Sequence, residues 1–509
     1  MKDFFDFSSA KYDTDPKLWI SSLKSELKLD SVESKLNKRS SEIGAFPILS
    51  LSTDLASSLP SYSSWKKASQ TYIVFKNEFI STQLDEDLEN GVRVFFLYGP
   101  NLKKESWEII KKTLERFEKN NELEVFILDG DINYESQKLQ VYQRHNFLTT
   151  QSISQRGGHN IHELGALVCQ LIESGSDLPQ CIGVHVDSNF FKNIAKIRAL
   201  RLLVLKILQE LNVSIDIKIV ALNSYCDWTL FERYSNILRN ALQVSSALMA
   251  GADVVQSSGY QSIFYHDTDE SFSDHDEKSY RIARNSSHVL ALESMLGIVE
   301  DAAYGSYHLE NLSLTYAEEA WKFMQKILPM GPEERNQFIS DEVNKVHHER
   351  ISFLKTRKKI ISGINDFPDA KEKLTISLKT SPWKRSSRIF EDLRLKVENN
   401  PHKKDVKILI SGQLSELNSR ISFIRNYFEL LGLVVTETTN LTDFSSQEII
   451  VLCAKDDEYK DLVPQIDSSK AFASYIAGKV NFPGFRSLYM GQDVFEELSQ
   501  LVEKFMECQ

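Results

Sequence analysis

The sequence has few of the residues that build disulfide frameworks and membrane spans. Its 509 residues contain 5 cysteines, which are scattered, odd in number and free of any CxxC spacing. Such a set indicates reduced thiols in a cytoplasmic protein and argues against a disulfide-stabilised secreted one. The most apolar run, 199–208, is interrupted by Arg201 and Lys206, so it is unsuited to crossing a bilayer.

Positive charge is also in short supply. The chain has 60 Lys and Arg against 71 Asp and Glu, which gives a formal net charge of -11 and a pI near 5.6. This mild acidic excess is spread along the chain and argues against nucleic acid as the main partner. The acidic first fifteen residues lack an apolar signal core, so we expect no secretory leader and no membrane partner.

Familiar catalytic and metal motifs are missing as well. The chain has no Walker loop, no nucleophile elbow and no HExxH. His159 and His162 form an HxxH pair that can bind zinc, but two further ligands are not in view, so a helix surface or an interior hydrogen bond is favoured. An acidic cluster surrounds His275, without EF-hand spacing, and an exposed loop is favoured over a cation site. The cluster consists of Asp267, Asp269, Glu270, Asp274, Asp276 and Glu277.

Hydrophobic periodicity shows what the chain does contain, namely strands alternating with helices. Predicted strands are 93–98, 124–128, 182–186, 215–222 and 254–256, and predicted helices are 106–117, 161–172, 190–211 and 229–248. This alternation predicts βαβ units with a parallel sheet. The length of about 250 residues favours a (β/α)8 TIM barrel over residues 61–330, preceded by an N-terminal extension at 1–60.

The helix 190–211 has the clearest pattern of the predicted helices. Its predicted core stripe consists of Phe190, Ile194, Ile197, Leu200, Val204, Leu208 and Leu211. The lysines of this helix, Lys192, Lys196 and Lys206, are expected to point away from the core.

The alternation is interrupted and then resumes. Residues 331–404 are charged and helical in pattern, and we interpret them as a helical linker. Residues 405–509 contain a buried strand at 406–411, a helix at 414–431, further strands at 433–436 and 449–453, and a last helix at 496–505. This order predicts a second, small doubly wound α/β domain.

The stretch 281–310 carries the most specific pattern. Its first part predicts a core helix ended by Gly297, followed by a polar loop and a new element from Tyr307. The residues expected on one helix face are Ile282, Val289, Leu290, Leu292, Met295 and Leu296. The order RIARN at 281–285, then Glu293, Leu296-Gly297 and DAAYGSYHLE at 301–310, resembles the end of the substrate barrel in the methylmalonyl-CoA mutases. That family carries a run close to RIARN and then DPAGGSYYVE.

This resemblance implies a flavodoxin-like cobalamin-binding domain at 405–509, but the cobalt-binding motif is eroded. Active members carry Asp-x-His-x-x-Gly in a run like GQDGHDRG, where the His coordinates cobalt and the Asp orients it. Gly412 and Gln413 persist here. The Asp, His and Gly positions hold Leu414, Glu416 and Ser419. All three requirements fail together, so the domain is expected to be degenerate.

The barrel shows the same erosion. In a run similar to YHMQEAGA, the His that hydrogen-bonds the substrate thioester corresponds to Asn160. DLENGV at 87–92 and the ending at 489–505 resemble the small, non-catalytic subunit of two-chain bacterial mutases. The resemblance therefore implies no catalytic, cofactor-binding or metal residues on this chain.

The partner implied by the resemblance is a large catalytic subunit in a heterodimer, and adenosylcobalamin is expected on that subunit. The complex would interconvert (R)-methylmalonyl-CoA and succinyl-CoA, while this chain stabilises its partner. Two alternatives stay open. One is an independent CoA-ester enzyme that uses His159, His162 or His308, and the other is a non-enzymatic binding or chaperone protein.

Overall fold

The computed structural model describes most of residues 84–507 and a few short strands before them. The described ranges are 25, 38–40, 44–46, 68–73, 84–98, 104–117, 123–129, 136, 139–143, 146–150, 153–154, 156–263, 274–297, 301–374 and 385–507. Most of the predicted extension at 1–60 lies outside them. The acidic residues Asp267, Asp269 and Glu270 also lie outside the described residues.

The first unit contains ten strands, of which eight form two parallel sheets. The strands are β1 Lys38–Ser40, β2 Gly44–Phe46, β3 Ala68–Ile73, β4 Val92–Tyr98, β5 Glu124–Asp129, β6 Gln140–Tyr142, β7 Phe147–Thr149, β8 Cys181–Val186, β9 Lys218–Asn223 and β10 Val254–Val255. β1 and β2 pair antiparallel. One parallel sheet has the order β3-β4-β5-β6 and the other has the order β10-β9-β8-β7.

Helices follow the strands, as the alternation predicts. They are α1 Lys104–Phe117, α2 Asn160–Ser174, α3 Phe190–Glu210, α4 Ser235–Met249, α5 Asp274–His288, α6 Tyr307–Ile327 and α7 Pro332–Lys355. A π-helical turn, Val289–Glu293, continues α5. The predicted α/β class with parallel sheets is confirmed. The strands β3, β6 and β7 were missed, and for β6 and β7 the reason is that three residues are too few for a period to be visible.

The inner faces of the two sheets share one core layer. Val94 and Phe126 of the first sheet and Leu222 of the second belong to a single buried cluster. On the outer faces, α1 packs over the first sheet, whereas α2, α3 and α4 pack over the second. β10 also lies beside β3, so the end strands of the two sheets approach each other.

The last unit is a five-stranded parallel sheet. Its elements are α8 Arg388–Glu398, β11 Val406–Ile410, α9 Leu414–Glu429, β12 Val435–Thr438, β13 Ile449–Cys453, α10 Tyr459–Leu462, β14 Ala473–Ala477, β15 Arg486–Leu488 and α11 Val494–Glu507. The strand order is β12-β11-β13-β14-β15, and every pair is parallel. This 2-1-3-4-5 order is one of the two common doubly wound arrangements.

Several sequence predictions were wrong in detail. β9 begins at Lys218 and α4 begins at Ser235, later than predicted, because turns precede both elements. The 281–297 segment does not bury its largest apolar residues. Val289, Leu292 and Met295 are exposed, while Ala283 and Ala291 face the core. The π-helical turn inserts an extra residue per turn and rotates the stripe away from the core.

Two predictions for α3 also failed. Lys196 is buried rather than solvent-facing, and Leu211 is exposed rather than part of the core stripe. The stripe members Ile194, Ile197 and Leu200 are buried as predicted.

Candidate functional site

The carboxyl ends of β7 to β10 are where an α/β protein would build a ligand site. Among the described residues, the ends of β9 and β10 carry a buried polar network. Asn223, at the end of β9, donates from Nδ2 to Gln243 Oε1 at 2.6 Å and receives a hydrogen bond from Ser258 Oγ at 2.7 Å. Its backbone N–H donates to Gln256 Oε1 at 2.8 Å. These polar groups are committed to one another, so they are not offered to a ligand.

A covering layer lies over this network. Trp228 is fully buried, and its backbone carbonyl accepts a hydrogen bond from Ser387 Oγ at 3.1 Å. The N–H of Leu230 donates to Glu391 Oε1 at 2.8 Å, and the N–H of Ser386 donates to Cys226 O at 2.7 Å. The start of α8 is therefore fastened directly onto the segment that leaves β9.

A guanidinium from α7 occupies the same end of the sheet. Arg350 Nη1 lies 3.0 Å from Cys226 Sγ, and an added Cβ on Gly157 would meet that guanidinium at 3.4 Å. Burial alone would lower the pKa of Arg350, but Cys226 and Asp227 outweigh it and raise the pKa. The arginine therefore stays charged between the loops that follow β7 and β9.

A buried ionic triad, which sequence reasoning missed, lies at the ends of β7 and β8. Glu163 of α2 accepts at Oε1 from the N–H of His185 at 2.9 Å, and the same oxygen lies 2.9 Å from His185 Nδ1. Lys196 of α3 donates to Glu163 Oε2 at 2.9 Å. Burial alone would raise the pKa of Glu163, but Lys196 and His185 lower it to about 2. The carboxylate is thus ionised and joins β8 to two helices.

Large side chains fill the space between the two sheets. Phe126 stacks on Phe96 at 5.0 Å and on Tyr142 at 4.5 Å, measured between ring centroids, and meets Phe147 edge-on at 5.3 Å. Gly183 makes room for this packing, because an added Cβ there would lie 2.7 Å from the ring of Phe147. Aromatic rings therefore occupy the inner layer where a substrate tunnel would run.

The amino ends of the strands are joined by an ion pair across the sheets. Lys218 of β9 donates to Glu124 of β5 at 3.1 Å and to the Tyr142 hydroxyl of β6 at 3.2 Å. Burial and the Glu124 carboxylate raise the pKa of Tyr142 to about 12. Both ends of the inner layer are thus held by protein groups.

The histidines proposed for an independent enzyme do not converge. The rings of His159 and His162 lie 5.6 Å apart, and His162 also contacts Phe323 at 4.9 Å. Asn160 donates to the Tyr316 hydroxyl at 3.3 Å. His308 contacts Phe191 and precedes Tyr316 by eight residues of α6, about 12 Å along the axis. Three histidines spread in this way do not form one catalytic constellation.

The loop of the specific sequence stretch has a structural role. Arg198 of α3 bonds to Asp301 at 2.9 Å and to Glu310 at 2.8 Å. Gly305 in this loop has φ +77°, and α6 begins at Tyr307, as predicted. Burial alone would lower the pKa of Arg198, but Glu310 and Asp301 raise it. This arginine therefore anchors the loop against α3.

The carboxyl edge of the last sheet is occupied by ion pairs. Glu416 at the start of α9 bonds to Lys455 at 2.7 Å. Arg420 donates to the carbonyls of Ala454 and Ala477, at 2.8 and 2.9 Å, and pairs with Asp456 at 2.7 Å. The guanidinium therefore bridges the ends of β13 and β14, next to the β11–β13 switch point where this class of sheet binds ligands.

Two further findings concern only the described part of the chain. No group of three or more His, Cys, Asp or Glu side chains there could hold a metal ion. No helix there is long and apolar enough to cross a membrane.

Comparisons with known proteins agree on one family. The chain is 30% identical over 329 residues to the methylmalonyl-CoA mutase small subunit of Porphyromonas gingivalis, covering 58% of this chain and 51% of that protein. It is 26% identical over 353 residues to the small subunit from Propionibacterium freudenreichii subsp. shermanii, covering 62% and 54%. It is 24% identical over 275 residues to the 2-hydroxyisobutanoyl-CoA mutase large subunit of Aquincola tertiaricarbonis, covering 50% and 47%.

The chain spans about half the length of the curated relatives it matches. The family described as methylmalonyl-CoA mutase matches residues 181–437, which is half of the 509 residues. The strands β8 to β11 and the covering layer lie inside this match, and β12 extends one residue beyond it. By this measure the chain belongs to the methylmalonyl-CoA mutase family.

Proposed function

We propose that this chain is the small, non-catalytic subunit of an adenosylcobalamin-dependent methylmalonyl-CoA mutase. Its partner is the large catalytic subunit, with which it forms a heterodimer in the cytoplasm. The complex interconverts (R)-methylmalonyl-CoA and succinyl-CoA, and the cofactor binds on the large subunit. Two relatives named as small subunits support this choice of partner.

The proposed architecture follows the family plan. Residues 61–330 form a closed (β/α)8 barrel, 331–404 a helical linker and 405–509 a degenerate cobalamin-binding-type domain. Eight parallel strands in chain order, one shared inner layer and the approach of β10 to β3 support barrel closure. The 2-1-3-4-5 order of the last sheet supports the second domain.

One observation carries the proposal that this chain has no active site of its own. The carboxyl ends of β9 and β10 are filled by the Asn223 network and covered by the buried Trp228. Opening a substrate pocket there would break several buried hydrogen bonds, each costing about 1–3 kcal/mol if left unsatisfied. We therefore propose that this chain has no catalytic, cofactor-binding or metal-binding residues.

The last sheet does not fit a corrin cofactor either. Cobalt takes an imidazole ligand in this family, and the corresponding Glu416 is a carboxylate paired with Lys455. Arg420 lies at the same edge, with its one-third exposed guanidinium held by the carbonyls of Ala454 and Ala477 and by Asp456. We therefore assign no cofactor to this chain.

The role left for the chain is to stabilise the catalytic subunit. Two chains of related fold pair readily through pseudo-symmetric surfaces. The packed inner layer and the buried hydrogen bonds at the strand ends make this chain a rigid body. A partner can fold on such a body and remain assembled with it.

The test is a visible-light titration of the purified chain with adenosylcobalamin, alongside a mutase assay. We expect no stoichiometric binding, no change of the axial ligand and no turnover by the chain alone. Turnover should require the catalytic subunit. Full activity of the isolated chain, or tight binding with an altered cobalt spectrum, would contradict the proposal.

A further inference from the structure

Helix α4 presents an apolar face to solvent, which is unusual for a helix on the outside of a parallel sheet. Its 15 residues include one charged side chain, Arg239, and this is buried. Arg239 donates to Thr229 Oγ1 at 2.8 Å and to the Ser362 carbonyl at 3.0 Å. By contrast, α3 exposes Lys206 and Glu210 on its outer side. The outer face of α4 therefore has no charged group to hold it in water.

The exposed residues of α4 form one stripe. Tyr234 is 53% exposed, Leu238 68% and Leu242 43%. Their spacing of four residues places them on the same side of the helix, one turn after another. The small Ala241 is half-buried beside this stripe. A ridge of large side chains flanked by a small residue is a surface into which another helix can pack.

The apolar surface continues onto the π-helical turn, which lies beside α4. Val289 is 43% exposed, and Leu292 and Met295 are each 59% exposed. Met295 has φ +53°, a left-handed conformation that an L-residue rarely adopts. The backbone here is thus held in a strained form that turns three apolar side chains outward.

The size of this surface suits a stable protein contact. From their exposed fractions, the six side chains together expose on the order of 600 Å². That is at the upper limit of a single patch on a monomer, and most of the roughly 800 Å² that each partner buries in a standard interface. Within α4 the stripe lacks exposed charge, as the core of an interface does. Charged groups lie at its border, where Arg233 stands 5.2 Å from the centre of the Tyr234 ring and Glu293 is exposed between Leu292 and Met295.

We propose that this surface, which we call the α4 face, is where the chain docks on the catalytic subunit. The α4 face comprises Tyr234, Leu238, Leu242, Val289, Leu292 and Met295. This inference rests on the proposed function, because the occupant is taken to be a chain of the same family. The relatives named as small subunits imply a large subunit as partner, and the exposed apolar area of the α4 face approaches what one partner buries in a standard interface.

The experiment uses the full chain co-expressed with the catalytic mutase subunit of its own host. The double variant Leu238→Lys/Leu242→Lys places two charges in the centre of the α4 face. The variant Leu238→Gln/Leu242→Gln is the milder form, and Met490→Lys is the matched control because Met490 is 75% exposed on the last domain. Thermal melting followed by circular dichroism checks that each variant folds.

We expect the wild type and Met490→Lys to co-purify with the catalytic subunit in equimolar amounts. The lysine pair should weaken binding on the order of 30-fold or more, and the glutamine pair should weaken it less. If the wild type binds and the folded lysine variant binds equally well, the α4 face is not the interface, although the proposed function stands.

Two other outcomes reject the proposed occupant. If the wild type captures no catalytic subunit, the proposed function fails, and the occupant fails with it. If the purified wild type sediments as a homodimer that the lysine pair dissociates, the α4 face binds a second copy of this chain.

Discussion

The first unit and the last unit of this chain each have a carboxyl edge of parallel strands, at which α/β proteins bind ligands. The two edges are closed differently. In the first unit, neutral side chains around Asn223 bond to one another beneath the buried Trp228. In the last unit, Glu416 and Lys455 pair at the surface, with side chains 47% and 46% exposed. The first closure is part of the core, whereas the second is only a layer of partly solvated charges.

This difference shows which of the two closed edges is part of the folded core. Buried, mutually satisfied polar groups are costly to separate, so the first edge can be reopened only at the expense of stability. Exposed ion pairs contribute little to stability, so residue identity and not tight packing distinguishes the last edge, where Glu416 stands at the position of the family's cobalt ligand. Substitutions at each of the two edges can therefore test this difference.

The largest expected effect on stability comes from removing the Trp228 side chain, which covers the polar network. Trp228→Ala should lower the free energy of unfolding by about 3–5 kcal/mol, because it leaves a cavity between the two units. Urea denaturation followed by circular dichroism measures this. The matched control is Trp321→Ala, since Trp321 is 36% exposed on α6. If both variants lose equal stability, Trp228 is not a core element.

Breaking the buried triad comes next. Glu163→Gln should cost about 3 kcal/mol near neutral pH, because Lys196 is left buried without its counter-charge. The pKa of Glu163 is lowered to about 2 from 4.5, so its contribution is complete above pH 4.5 and is lost as pH falls toward 2. The stability gap between wild type and variant should therefore narrow across that range.

Urea midpoints measured between pH 7 and pH 3 test the triad. Glu319→Gln is the control, because Glu319 forms only an exposed pair with Lys322 on α6. A gap for Glu163→Gln that stays constant down to pH 3 would be evidence against an ionised, buried Glu163.

Removing a single side chain of the polar network should lower the stability by a smaller amount. Asn223→Ala should lower stability by about 1–3 kcal/mol, because it leaves Gln243 and Ser258 without their shared partner. Asn344→Ala, at an exposed position of α7, is the control. Hydrogen exchange at the ends of β9 and β10 should rise in the first variant alone. Unchanged exchange there would mean that the network does not hold the strand ends.

The smallest effect is expected at the last sheet. Glu416→Gln should leave the urea midpoint unchanged, because the pair with Lys455 is half-exposed. Glu416→His restores the imidazole but should still bind no stoichiometric cobalamin, since Leu414 and Ser419 still replace the Asp and the Gly of the family motif. A visible spectrum with an imidazole-ligated cobalt would show that one residue, and not the whole edge, excludes the cofactor.

Part of the site could be predicted from the sequence and part could not. Asn223 and Gln256 were not singled out from the sequence, although Asn223 follows the predicted strand 215–222 and Gln256 ends the predicted strand 254–256, so both lie at strand ends that meet at one edge of a parallel sheet. No pattern indicates the Glu163–His185–Lys196 triad, because its members lie on three elements and Lys196 interrupts an apolar stripe only once. Which long side chain turns inward is decided by the neighbours it finds after folding.

The sequence by itself determined the α/β class, most of the helices and the family resemblance at 281–310, and it places a carboxylate, Glu416, where the family motif has its histidine. These follow from local periodicity and residue identity, which need no knowledge of distant contacts. Only the tertiary structure decided that aromatic rings fill the inner layer, that α8 fastens onto the β9 end and that Leu292 and Met295 face outward. Those outcomes depend on groups far apart in the chain, and burial energies are settled only when such groups pack together.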